Sequence, residues 1–269
     1  MPSEPVVPRP AATVLLVRDA PAAPPGRTPL QVFLQRRVPE MAFASSMTVF
    51  PGGGVAAADR AALPSWAGPD PSWWAERLGC DADLAGAFVQ AAVRETFEEC
   101  GVLLAAPELP ADVERYRADL VARQRTLAEM LTETGLVLRA DLLRPWARWV
   151  TPPAVPRRYD TVFFVALVPE GQEADAHTTE AVEATWWHPS EALEHWQRGE
   201  IELMAPTVRT LQEIAEHPDS ASVLAAADDR VVQPVTPVVR RDGEKVVVVL
   251  PGDPDFAIDI ERIAPGGSA

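Results

Sequence analysis

Apolar residues along this chain fall into short blocks with two distinct rhythms, and proline and glycine mark most of the breaks between them. Residues 12–17 form a nearly continuous apolar run, the length and composition of a buried strand. A Pro/Gly loop over 21–29 follows, and then residues 30–35 alternate with period two, as a half-buried strand does. Residues 47–50 predict a short third strand that runs into Pro51-Gly52-Gly53-Gly54. The rhythm then becomes helical. Short helical pieces over 59–79 carry Trp66, Trp73 and Trp74 as packing residues, and a long helix is predicted from about Asp83 to Cys100. Residues 112–134 predict one or two further helices, with Leu120, Leu127 and Leu131 inside and Arg and Glu outside.

Strands return at 146–150, 161–167 and 184–187, and a helix opens near Pro189 with Ser190 as its cap. Beyond Pro218 an alanine-rich helix leads to two valine-rich runs, 235–239 and 246–250, joined through Asp242-Gly243, a hairpin signal. An isolated apolar hairpin is marginal and prone to edge pairing, so it either packs on the domain or pairs with a second chain as a homodimer. The expected organisation is a lead-in over 1–10, which holds four prolines, and one elaborated domain over 11–218 with a helical insertion at about 56–82. A C-terminal helix and hairpin extension over 219–269 completes it.

Composition narrows the function classes. With 269 residues and 47% hydrophobic content the chain can bury a substantial core. A formal net charge of −15 argues against nucleic acid and anionic membranes as partners, because both are met with basic surface. Two cysteines, Cys80 and Cys100, are too few for a disulfide framework, and no signal-peptide pattern or eighteen-residue apolar run occurs. The expected setting is cytoplasmic, with no membrane partner.

The chemistry concentrates in Arg94-Glu95-Thr96-Phe97-Glu98-Glu99-Cys100-Gly101-Val102. Stepping about 100° per residue puts Glu95, Glu98 and Glu99 in one sector and Val89, Val93, Phe97, Cys100 and Leu104 on the opposite side. The three carboxylates are then expected to point away from the core together. Acids fit poorly at a helix C-terminus, where the macrodipole is negative and like charges three or four residues apart repel. Arg94 is the only cation in the stretch, so a hard divalent ion with oxygen ligands, Mg²⁺ or Mn²⁺, is the natural counter-charge. Most Glu-Glu pairs on helices are merely solvated. Here an Arg-Glu start, a Glu-Glu pair and a Gly-aliphatic end stand behind a separate Gly-rich turn.

That string resembles the second half of the signature of Nudix hydrolases, and residues 49–54 resemble its opening. The chain departs from the pattern in two places. Thr96 stands at a usually aliphatic position, and about thirty residues separate the glycine turn from the helix pattern. Counting back from Arg94 puts the family's first glutamate at Gly86, leaving that role vacant or passing it to Asp81 or Asp83. The inserted segment and the run over 37–43 are similar to a branch of the family that contains the peroxisomal coenzyme A diphosphatase. The resemblance implies an α/β fold, a Nudix-type α/β/α sandwich around a mixed sheet. It implies metal held by Glu95, Glu98, Glu99 and a backbone carbonyl near Gly53, although Gly52-Gly53-Gly54 read alone is either a tight turn or a phosphate nest.

The remaining candidates rest on position. Arg157 and Arg158 form a doublet suited to clamping a phosphate or carboxylate, or else to solvation. Of the acids between the long strand and Trp186-Trp187, namely Glu170, Glu173, Glu180 and Glu183, Glu180 is the first choice for an additional catalytic acid. The general base is Glu95 or a loop acid such as Glu180, and Arg94 orients a neighbouring acid. The four histidines have no paired ligand spacing, and no Walker loop, dinucleotide fingerprint or nucleophile elbow is present. The expected function is metal-dependent cleavage of a phosphoanhydride in a small nucleotide-derived substrate, a nucleoside diphosphate linked to another group, with coenzyme A or acyl-coenzyme A as one specification. A Nudix-fold ligand sensor without turnover and a purely structural interaction protein are the rivals.

Overall fold

The computed structural model describes residues 6–38, 46–61, 65–153, 155–176, 181–243 and 245–259. In chain order its first elements are β1 (Arg9–Asp19), β2 (Leu30–Arg37), β3 (Thr48–Val49), β4 (Gly52–Gly54), α1 (Ala57–Ala61), β5 (Trp66–Ala67), α2 (Pro71–Leu78) and α3 (Ala82–Cys100). Next come β6 (Ala105–Ala106), α4 (Val113–Val121), α5 (Leu127–Thr134), β7 (Val137–Arg139), β8 (Arg144–Val150), β9 (Tyr159–Leu167) and β10 (Ala181–Trp187). The chain closes with α6 (Pro189–Gln197), α7 (Ala205–Ala215), α8 (Ser220–Ala227), β11 (Pro234–Val235), β12 (Val238–Asp242), β13 (Lys245–Leu250) and β14 (Asp253–Asp259).

A mixed sheet in the order β10-β2-β1-β9-β8-β11 forms the middle layer, with β3 added to β2 and β4 added to β1. β1 runs parallel to β9 and antiparallel to β2 and β4. Helices cover both faces, so alternate residues of β1 enter different cores. Val14 and Leu16 join Phe88, Val89, Val93 and Phe97 of α3, whereas Leu15 and Val17 join Ala192, Val208, Leu211 and Val223 of α6, α7 and α8. This is the expected α/β/α sandwich, and it explains why residues 12–17 read as an almost unbroken apolar run.

Both ends of α3 are defined by side-chain chemistry. The Asp81 carboxylate accepts from the Leu84 amide at 2.8 Å, and Gly101 closes the helix at φ 75°. In the insertion, Trp74 of α2 is fully buried and sits edge-on to Phe164 at 5.6 Å, while Trp66 and Trp73 pack around it half-buried. A small sheet, β5-β7-β6, was not foreseen, because two-residue strands leave no period to read.

Several expectations change. Arg9 and Pro10 belong to β1 rather than to a lead-in, and the Pro10 carbonyl accepts from the Val55 amide at 2.9 Å, a bond a proline can still make. Ser190 does not cap α6. Pro189 takes the first helical position and moves the cap back to His188, so Ser190 Oγ instead accepts from Arg27 Nη1 at 2.8 Å. Residues 112–134 form two helices, with Arg117 buried rather than outside. The C-terminal hairpin gains a third strand, β14, and packs on its own chain. Val248, Leu250, Phe256 and Ile258 enter the second core, and β11 extends the main sheet along β8.

Candidate active site

The last turn of α3 carries the acids and also meets its counter-charge. Arg117 Nε donates to the Glu98 carbonyl at 3.1 Å, and its two terminal nitrogens hold Asp175 at 2.8 and 3.0 Å. A buried guanidinium thus sits on the negative end of the helix, the offset expected at that pole. Gly101 is required twice over, by its positive φ and because a Cβ there would lie 2.8 Å from Asp175 Oδ2 and 2.9 Å from Arg117 Nη1.

Arg94 organises the next layer. Its Nη1 donates to Glu95 at 2.7 Å and to Glu98 at 3.3 Å, its Nε and Nη2 hold Asp59 at 3.0 and 2.9 Å, and Nη2 also donates to the Gly54 carbonyl at 2.9 Å. Burial by itself favours loss of the proton, but hydrogen bonding to Asp59 and the charges of Glu95, Asp59 and Glu98 outweigh it, and the Arg94 pKa is raised. Glu95 and Glu98 are only 14% and 19% exposed, so this is not a solvated acidic face.

Asp59 is the acid that sequence reasoning missed. It is 3% exposed, and its carbonyl accepts from Gln90 Nε2 at 2.8 Å. Gly86, where spacing put the family's first glutamate, is buried within α3 and offers no side chain, while of the alternatives Asp81 is the helix cap and Asp83 is exposed in its first turn. The available signal was a lone acid ending an alanine run directly after the glycine turn.

Glu99 meets the same glycine turn as Glu95, one residue earlier. It is 3% exposed and turns toward the glycine turn, where Oε2 accepts from the Gly52 amide at 2.6 Å and from Gln35 Nε2 at 2.5 Å. Arg37, the second cation of the site, lies 3.7 Å from Glu99 Oε1 and donates to the Gly52 carbonyl at 3.0 Å. Helix, glycine turn and β2 are thereby locked together.

Among the described residues no three or more His, Cys, Asp or Glu side chains converge as a ready-made metal centre. Glu99 is hydrogen-bonded to the Gly52 amide and Gln35, and Glu95 and Glu98 close on Arg94. The donor chemistry nevertheless fits a hard divalent ion, with two carboxylates on one face beside bare backbone. A Cβ at Gly53 would lie 2.6 Å from the Glu95 carboxylate, so only glycine lets the main chain come this close.

Residues 75–214 match the sequence profile of the NUDT19 Nudix domain, which is more than half of the chain. The chain belongs to the Nudix hydrolase family. Acyl-coenzyme A diphosphatase NUDT19 of Gallus gallus is 28% identical over 91% of this chain and 79% of its own length, and the Homo sapiens protein of that name is 27% identical with the same coverage. A Nudix hydrolase from Alicyclobacillus acidocaldarius superposes with a TM-score of 0.65 at 28% identity, covering 83% of this chain and 98% of that one. These findings place the chain among Nudix pyrophosphohydrolases, a family that generally uses divalent metals. Among the described residues no helix is long and apolar enough to cross a membrane.

Arg158 is engaged by backbone, donating to the carbonyls of Thr151 at 3.0 Å and Val6 at 2.7 Å. Arg157 is exposed on the same loop. Glu180 lies outside the described residues, Glu170 and Glu173 are exposed, and Glu183 faces Arg36 at 3.5 Å. On the opposite side of β4 from Glu95 lies a cavity of about 430 Å³, bordered by Gly52, Gly53, Gly54 and Arg37 and floored by Ala11, Thr13, Thr161, Phe163 and Trp149.

Proposed function

We propose that this Nudix enzyme hydrolyses the phosphoanhydride of coenzyme A or an acyl-coenzyme A, with Mg²⁺ or Mn²⁺ held by Glu95, Glu98, Glu99 and the Gly53 carbonyl. The observation that carries the reading is the pair Glu95 and Glu98, gathered by Arg94 against a side-chain-free strand, in a chain whose relatives are named acyl-coenzyme A diphosphatases. A divalent ion held there would offset charge on the pyrophosphate oxygens and lower the pKa of the attacking water.

The chain's own residues do the positioning. Arg94 fixes the two acids relative to the Gly54 carbonyl, and Asp59 fixes Arg94. Glu99 pins the glycine strand by its Gly52 amide, holding the backbone against which the substrate's phosphates lie. Arg37, at the rim between Glu99 and the cavity, adds positive charge on the approach of an anionic substrate to an acidic protein. Glu95 or the loop acid Glu180 takes the proton from the attacking water. The two free cysteines suit a reducing compartment such as the cytoplasm.

The test is a substrate panel of coenzyme A, acyl-coenzyme A, ADP-ribose, NADH and diadenosine polyphosphates, with Mg²⁺, with Mn²⁺ and with chelator, products being separated by chromatography. Metal-dependent release of adenosine 3′,5′-bisphosphate from coenzyme A species, preferred over the other compounds and abolished in Glu98→Gln, is the expected result. Faster cleavage of a compound lacking the pantetheine arm refutes the substrate assignment.

A further inference from the structure

The cavity beside β4 has no part in the chemistry described so far, yet it shares a wall with it. In the pairing of β4 with β1, Gly53 lies opposite Ala12, while Gly52 and Gly54 lie opposite Thr13 and Ala11. Successive residues of a strand face opposite sides. Gly53 therefore meets Glu95, and Gly52 and Gly54 turn with Thr13 and Ala11 toward the cavity. A strand without side chains is all that separates the carboxylates from a large apolar chamber.

The far wall comes from the C-terminal sheet. Val239 of β12 and Val248 of β13 are directly opposed in register, so they project from one face, and both line the cavity with Pro237. Val248 is 6% exposed and sits deep, whereas Val239 is 47% exposed and stands at the mouth. Two of the hydroxyls in the lining are committed to the protein's own backbone. Thr13 Oγ1 donates to the Pro51 carbonyl at 2.6 Å, and Thr151 Oγ1 accepts from the Tyr159 amide at 3.0 Å. A nucleobase needs polar groups that read its edges, and an aliphatic chain needs none.

We propose, resting on the coenzyme A reading above, that this cavity receives the aliphatic acyl group of the substrate and that Val239 and Val248 set the acyl length accepted. The pyrophosphate lies at the glycine strand on the Glu95 side, and the pantetheine arm turns over the strand's edge so that the acyl chain enters the chamber. Each buried methylene strengthens binding about fourfold. The C-terminal sheet is then a specificity element.

The experiment is kcat/KM for coenzyme A and for saturated acyl-coenzyme A thioesters from two to sixteen carbons, on the full chain with Mg²⁺. Wild type is expected to gain up to about fourfold per added methylene and then to level off once the chamber is full. Val239→Trp, at a half-exposed position, is expected to bring that plateau to shorter chains while leaving kcat/KM for unacylated coenzyme A within about twofold. A flat wild-type series alongside brisk cleavage of coenzyme A overturns this proposal and leaves the reading of the active site intact. Failure to cleave any thioester or coenzyme A overturns both. The wild-type series needs no variant, so a folding defect in Val239→Trp does not protect the proposal.

Discussion

Two largely covered arginines, Arg94 and Arg148, do opposite things with the same functional group. Arg148 faces one carboxylate in a two-pronged pair, Nε and Nη2 to Asp160 at 2.8 and 2.6 Å, and gives Nη1 to the Leu78 carbonyl at 2.5 Å. Hydrogen bonding to Asp160 raises its pKa. The pair is matched in charge and ties α2 to the strands β8 and β9. Arg94 divides its single charge among Asp59, Glu95 and Glu98. A matched pair is a fastening, whereas a divided one is an arrangement that a further cation completes.

Substitutions that remove one partner should separate these roles. Glu98→Gln keeps the size and loses the charge; kcat is expected to fall roughly a thousandfold, about 4 kcal/mol in the barrier, with an unchanged thermal transition. Comparable turnover in that variant would show that the acids of α3 are ornament to the chemistry. Arg148→Met works the other way. It leaves Asp160 buried without its partner and is expected to lower stability by about 3 kcal/mol in urea titration, while the folded fraction keeps its kcat. If the loss appears in kcat instead, Arg148 is not merely a fastening.

Asp59→Asn tests whether Arg94 must be held from behind. The expected effect is intermediate, a drop in kcat of about tenfold to a hundredfold with KM little changed, because Arg94 keeps Glu95 and Glu98 but loses its charged anchor. A change confined to KM would make Asp59 a substrate contact. The smallest effect is expected far from either arginine. Thr126 and Glu129 form a reciprocal cap on α5, and the same bonds hold the Glu129 pKa below the usual carboxylate range. Thr126→Ala should cost about 1 kcal/mol in denaturant unfolding and nothing in activity.

What could be read from the chain beforehand follows the range of the interactions involved. The strands of the central sheet and the span of α3 were legible because each carries its own period, and Gly101 ends the helix by local chemistry. Glu95 and Glu98 were legible for the same reason, being one turn apart. The burial of Glu99 was not legible, because angular position on a helix says nothing of what approaches it, and here β2 and the glycine turn close over it. Asp59, Arg37 and Arg117 were illegible as site residues since their partners lie tens of positions away. The chamber behind β4 was beyond reach for a like reason, being assembled from β1, β4, β8, β9 and a C-terminal sheet whose third strand gave no clear signal.

Asp59 and Arg94 touch, and the polypeptide between them is therefore a closed excursion that leaves and rejoins the Arg94 cluster at one point. Closure entropy grows only logarithmically, so doubling such a loop adds about 0.6 kcal/mol. So long as Trp74 and Leu78 keep their seats, this excursion can change in length at small cost while the ends that meet at Asp59 and Arg94 stay in place.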